Sequence, residues 1–125
     1  MKQNNKTTSA LDRENRLIEF AARIIDLVEA LPKRPAGKHL GGQLLRSGTS
    51  PALNYGEAQS AESRVDFIHK MKICQKELRE TLICLKIISL RSWFKVEKLT
   101  PLLAESNELV AIFVASTRTA SSNKT

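Results

Sequence analysis

Between Ser63 and Arg91, apolar side chains fall at Phe67, Met71, Cys74, Leu78, Leu85 and Ile88, in steps of three, four and seven residues uninterrupted by proline or glycine. That spacing keeps them on one face of a 3.6-residue helix. At ~1.5 Å per residue the helix would be on the order of 43 Å long. It cannot bury such a stripe against itself, so the rest of the chain has to supply partners. With 125 residues and 42% hydrophobic content, one domain with one core is what the chain can build.

The remaining segments also read as helix, and none shows the sustained two-residue alternation of a strand. The first helix is expected to start near Ser9, which with Asp12 three residues on forms a capping-box pattern. It carries Leu17, Ala21, Ile24, Val28 and Leu31 as its core stripe, with Ile18 and Ile25 widening it toward a second neighbour, and it stops at Pro32. The second runs from about Lys38 to Ala61, with Leu40, Leu44, Leu45, Ala52, Leu53 and Ala58 inward. Within it, Gly48-Thr49-Ser50-Pro51 predicts either a kink or a restart capped by Ser50. The third helix is capped by Ser63, with Asp66 in its first turn pairing with Lys70, and Ser92-Trp93-Phe94-Lys95 ends its pattern. The fourth is capped by Thr100 before Pro101 and turns Leu102, Leu103, Leu109, Val110 and Phe113 inward. Short connections favour antiparallel neighbours, so the expected fold is all-α, an antiparallel up-down four-helix bundle over residues 10–119. Residues 1–9 and 120–125, small and polar without apolar period, are expected to be disordered tails.

Nothing in the sequence approaches the roughly 18 consecutive apolar residues of a membrane span, and the first residues lack the apolar core of a signal peptide. The expected location is cytoplasmic, away from membranes. Cys74 and Cys84 lie ten residues apart on one helix, about 15 Å, too far for a disulfide. They read as small buried hydrophobes of a reducing compartment.

No site for catalysis, metal or cofactor emerges. A di-metal bundle needs two Glu-x-x-His motifs; the chain offers only Asp66-x-x-His69, with His39 as its other histidine. Ser47 and Ser50 lack a nucleophile elbow, and Gly41-Gly42 is not continued as a phosphate loop.

Two constellations remain. Ser47, Ser50, Asn54 and Glu57 fall at steps of three, four and three, hence on one helical face. They form either a solvated face or a hydrogen-bonded row between helices, in which Asn54 and Glu57 find partners such as Arg46 or a residue of the third helix. The second constellation is the face of the third helix opposite its core stripe: Lys72, Lys76, Arg79, Ile83, Lys86, Ile87 and Leu90. Its first half is cationic and could track phosphates. Its second half would leave Ile83, Ile87 and Leu90 in water in a monomer, which points to a homo-oligomer interface there. The charge agrees with a polyanionic partner: of the net +7, residues 33–91 hold 11 basic and 5 acidic side chains, or +6. The cationic half is either a solvated face without a ligand or an RNA or DNA contact at Lys72, Lys76, Arg79 and Lys86, with Lys33, Arg34 and Lys38 as outlying contributors, through phosphates and without base stacking. An oligomeric protein adaptor with no nucleic-acid ligand is the alternative.

The run Leu45-Arg46-Ser47-Gly48-Thr49-Ser50-Pro51-Ala52-Leu53-Asn54-Tyr55-Gly56-Glu57-Ala58, with Asp66 to Ile73 and Lys76-Glu77-Leu78-Arg79-Glu80-Thr81, resembles the bacterial four-helix bundle proteins called 23S rRNA intervening-sequence proteins. Arg46, Ser47, Ser50, Asn54 and Glu57 match the family's signature, and Glu77 and Glu80 match its paired acids. The resemblance implies an antiparallel bundle assembled as a homopentamer, related in fold to accessory proteins of diversity-generating retroelements, which bind a reverse transcriptase and nucleic acid. It supplies no catalytic residues. It also tilts the polar row toward the interhelical reading.

Overall fold

The computed structural model describes residues 2–122, with side chains from Ser9 onward. Four helices account for the fold: α1 (Lys2–Ala30), α2 (Pro35–Gln59), α3 (Arg64–Ser89) and α4 (Val96–Ser122), with no strand among the described residues. They form a four-helix bundle. α2 packs on α3, α3 on α4 and α1 on α2, while α1 and α4 meet over a much narrower contact. Partners recede along α3 as α2 advances: Arg46 reaches Glu80, Pro51 meets Cys74, and Glu57 meets Lys70.

Several boundaries differ from expectation. No proline or glycine precedes Ser9, so nothing interrupts the helical backbone there; α1 runs from Lys2, and Ser9 lies within it. Residues 2–9 of the expected N-terminal tail are thus helical in backbone, and Met1 lies outside the described residues. At the other end Ala120–Ser122 continue α4, and 123–125 lie outside the described residues. α2 starts at Pro35, whose fixed φ suits a first turn, after an extended Arg34. There is no restart at Ser50: α2 continues through Pro51, and the Ser50 hydroxyl accepts from Asn54 instead of capping. α4 starts at Val96, before Thr100, whose hydroxyl donates back to the Val96 carbonyl at 2.9 Å. The Ser63 cap is as expected: extended backbone, with Oγ accepting from the Asp66 amide at 3.0 Å. Lys70, however, pairs with Glu57 across the α2–α3 seam and not with Asp66.

The core holds Leu17, Ile24, Leu31, Leu44, Met71, Cys74, Leu78, Leu85, Ile88, Leu102, Leu109 and Phe113, all from the expected stripes. It also takes in Phe20, Leu27 and Tyr55; the Tyr55 ring meets Phe113 edge to face at 5.6 Å. Burial of the Tyr55 phenol pushes its pKa up. Ile18, Ile25, Leu45 and Leu53, expected to face inward, are exposed. The apolar arcs of α1 and α2 are wider than the part their neighbours cover. One close approach fixes the α1–α2 pair, because a Cβ at Gly48 would stand 2.7 Å from Ile24 Cγ2. Only glycine lets the helices sit this near.

The narrow α1–α4 contact is closed by a charged clamp. Arg16 donates to both oxygens of Glu105, at 2.8 and 3.0 Å, and its Nη2 also reaches Glu108. The hydrogen bond to Glu105, then that to Glu108, pushes the Arg16 pKa further up.

Candidate interaction site on α2 and α3

The α2–α3 seam carries most of the polar residues singled out from the sequence. Arg46 Nη1 donates to Glu77 Oε1 at 2.8 Å and its Nη2 to Glu80 Oε1 at 2.9 Å, so one guanidinium spans both acids of α3. Glu80 through its hydrogen bond, and then the Glu77 charge, push the Arg46 pKa up. Glu77 has a side chain only 7% exposed, so Arg46 is the group that compensates a nearly buried carboxylate. Ser47 is buried beside it. Thr81 Oγ1 lies 2.9 Å from both Ser47 Oγ and the Glu77 carbonyl, which lets two buried hydroxyls and a carbonyl satisfy one another. The other members behave differently. Asn54 is half-buried and donates within α2, to Ser50 Oγ at 2.8 Å and its carbonyl at 3.1 Å. Glu57 is exposed and accepts from Lys70, whose pKa rises through that hydrogen bond.

Beside the seam, α3 presents its outer face. A groove of about 930 Å³ opens there, with Lys72, Lys76 and Arg79 along it, Arg46 at one side and Ile83 and Cys84 in its lining. Lys76 stands 4.0 Å from Glu77, whereas Lys72, Arg79 and Lys86 form no ion pair among the described residues. Burial, and then the Glu80 charge, push the Cys84 thiol up, so this half-buried cysteine is a weak nucleophile. Cys74 is fully buried, its thiol pushed up to about 12 by desolvation, and it donates to the Pro51 carbonyl at 3.5 Å.

From Ile83, at the end of the groove, the α3 face becomes more apolar: Ile83, Ile87 and Leu90 are 51%, 44% and 82% exposed. Lys33, Arg34 and Lys38 are not part of the groove; they belong to the α1–α2 connection and the first turn of α2, where Lys33 donates to the Glu29 carbonyl at 3.4 Å. No cluster of three or more His, Cys, Asp or Glu able to hold a metal occurs among the described residues. α4 is long and apolar enough by composition to cross a membrane, a property that a core helix shares, and its Leu102, Leu109, Val110 and Phe113 are buried in the bundle. Sequence reasoning missed Thr81, because a threonine inside an apolar stripe carries no signal until its partner Ser47 is in place. It also missed the exposed row on α1, where Leu11, Ile18 and Ile25 recur every seven residues.

The profile of the 23S rRNA-intervening sequence protein family matches residues 10–115, which takes in all of α2 and α3 and most of α1 and α4. The chain belongs to this family. The 23S rRNA-intervening sequence proteins are not a known enzyme family. Among solved structures, one from Bacteroides thetaiotaomicron VPI-5482, described as a protein of unknown function from the S23 ribosomal protein family, superposes with a TM-score of 0.77. It is 31% identical, with 84% of this chain and 97% of that chain covered. The curated proteins contain no match to the sequence.

Proposed function

We propose that this family member is a non-enzymatic, basic, homo-oligomeric scaffold of the cytoplasm, with five subunits as the number its resemblance implies. The observation that carries the reading is the uncovered row Ile83, Ile87 and Leu90 on a helix whose opposite face already fills the core. A monomer would leave that second apolar stripe in water, and a further copy of the chain is the commonest cover. Light scattering of the full chain at micromolar concentration tests it. A multi-subunit mass is expected, and a mass of one chain overturns the reading.

A second reading, nucleic-acid contact on the same helix, is favoured by the row Lys72, Lys76, Arg79 and Lys86, in which, among the described residues, Lys76 alone has a carboxylate within 4.0 Å, that of Glu77. If each meets one phosphate, the logarithm of affinity falls with the logarithm of salt at a slope of about −3 to −4. Filter binding of RNA and DNA across a salt series measures that slope, and Lys76→Glu with Arg79→Glu should abolish binding. No binding at low salt would leave the protein adaptor, the reverse transcriptase of related systems being one candidate partner.

A further inference from the structure

The uncovered residues of α1 and α3 follow the same seven-residue step. On α1, Leu11, Ile18 and Ile25 are exposed, and each is followed at once by an exposed acid: Asp12, Glu19 and Asp26. On α3, exposed Lys72, Arg79 and Lys86 keep that step, and so do Lys76, Ile83 and Leu90 four residues on. A seven-residue recurrence drifts only ~20° per repeat around a straight helix, so each set stays a row. Each row spans fourteen residues, about 21 Å at 1.5 Å per residue. These are the rows two helices present when they pack at a shallow angle with flanking charges choosing the partner.

We infer that the outer face of α1 in one copy docks on the outer face of α3 in a second copy, apolar row on apolar row and acids on bases. This rests on the oligomer reading above and names the surfaces that reading leaves open. Three observations select this pairing. First, none of Asp12, Glu19, Asp26, Lys72, Arg79 and Lys86 has an ion-pair partner among the described residues, so both sets of charges are free to face a neighbour. Second, pairing α3 with α3 would oppose three cations to three cations, and α1 with α1 three acids to three acids. Third, the backbones of α1 and α3 make no close approach within the subunit and the core lies between them, so the outward stripe on α1 cannot cover the outer face of its own α3. A nucleic acid would answer the cations but offers nothing aliphatic to Ile83 and Leu90, whereas α1 answers both. Because the two faces differ, the contact is head-to-tail: every added copy brings one unused face of each kind, and growth ends only by closure into a ring.

Charge reversal on the full chain tests the pairing, with mass read by light scattering at micromolar concentration and helicity by circular dichroism. One variant carries Asp12→Lys, Glu19→Lys and Asp26→Lys; the other carries Lys72→Glu, Arg79→Glu and Lys86→Glu. Each alone should be a folded monomer, since both of its faces then bear one sign. Mixed in equal amounts they should associate beyond the monomer mass in strict alternation, which cannot close a ring of five, whereas the chain carrying all six changes should regain the wild-type mass by itself. If a triple variant loses helicity, the pair Glu19→Lys and Arg79→Glu, tested singly and together, gives the same readout with fewer changes. Triple variants of wild-type mass, or a six-fold variant that stays monomeric while folded, overturn the pairing and leave oligomerisation standing. A monomeric wild type overturns both.

Discussion

Gly48→Ala isolates the cost of the close approach between α1 and α2. The added Cβ would stand 2.7 Å from Ile24 Cγ2, 2.9 Å from Cγ1 and 3.1 Å from Cβ, against the ~3.5–4.0 Å at which carbon atoms rest. A β-branched side chain is stiff at χ1, so Ile24 cannot swing away cheaply and the helices must part. Such overpacking costs about 1–3 kcal/mol. Replacing a helical glycine by alanine also gains about 1 kcal/mol from propensity alone, which would mask part of that cost. Two glycines of the same helix remove the ambiguity: a Cβ at Gly42 or Gly56 meets nothing within 4 Å. Gly42→Ala and Gly56→Ala should therefore stabilise by about 1 kcal/mol, and Gly48→Ala should fall below them by about 1–3 kcal/mol. Urea unfolding at one fixed protein concentration, which an oligomer requires, measures all three. In an Ile24→Ala background the penalty at position 48 should vanish. Equal stabilisation at 42, 48 and 56 would refute the close approach.

Ser106 is fully buried with a hydroxyl that finds no partner among the described residues, so Ser106→Ala should stabilise by about 1 kcal/mol; a loss in denaturant midpoint would show that the hydroxyl is bonded. Thr81→Val strands the buried Ser47 hydroxyl and should cost about 1–3 kcal/mol. Adding Ser47→Ala should recover most of it, and additive losses would mean that the two hydroxyls are not paired. The Cys74 thiol is held at about 12 against an ordinary value of 9.0, so between those values the unfolded chain loses a proton that the folded chain keeps. Its contribution to stability is complete below pH ~9 and is lost as pH rises toward ~12, at up to about 1.4 kcal/mol per pH unit. Cys74→Ala should flatten that part of the stability profile, and an unchanged slope would rule the thiol out as its source.

The element most legible in the sequence is α3, because no proline or glycine competes with its stripe and Ser63 supplies an unambiguous start. α4 was harder. Thr100-Pro101 reads as a helix start, yet Leu99 is buried and the helix begins before it, since docking a further apolar side chain outweighs one local signal. On α1 apolar residues occupy more than half the circumference, so periodicity cannot say which of Ile18, Phe20, Ile25 and Leu27 face inward; the position of α2 decides it. The polar seam was legible as a row on α2 but not as a set of bonds. Arg46 and Glu77 are thirty-one residues apart, and only the antiparallel approach of α2 and α3 makes them neighbours. Asn54, on the same row, bonds within its own helix, so shared face did not mean shared role.

The close backbone approaches join each helix to the next one along the chain, and α1 nears α4 only at a narrow seam held by Arg16. A chain wired in this way closes short loops before long ones, which lowers the entropic barrier to folding. Each helix can find its partner as soon as the following one has been synthesised, and joining the first helix to the last is the final and most easily reversed step. Amide exchange should be fastest on that edge of the bundle.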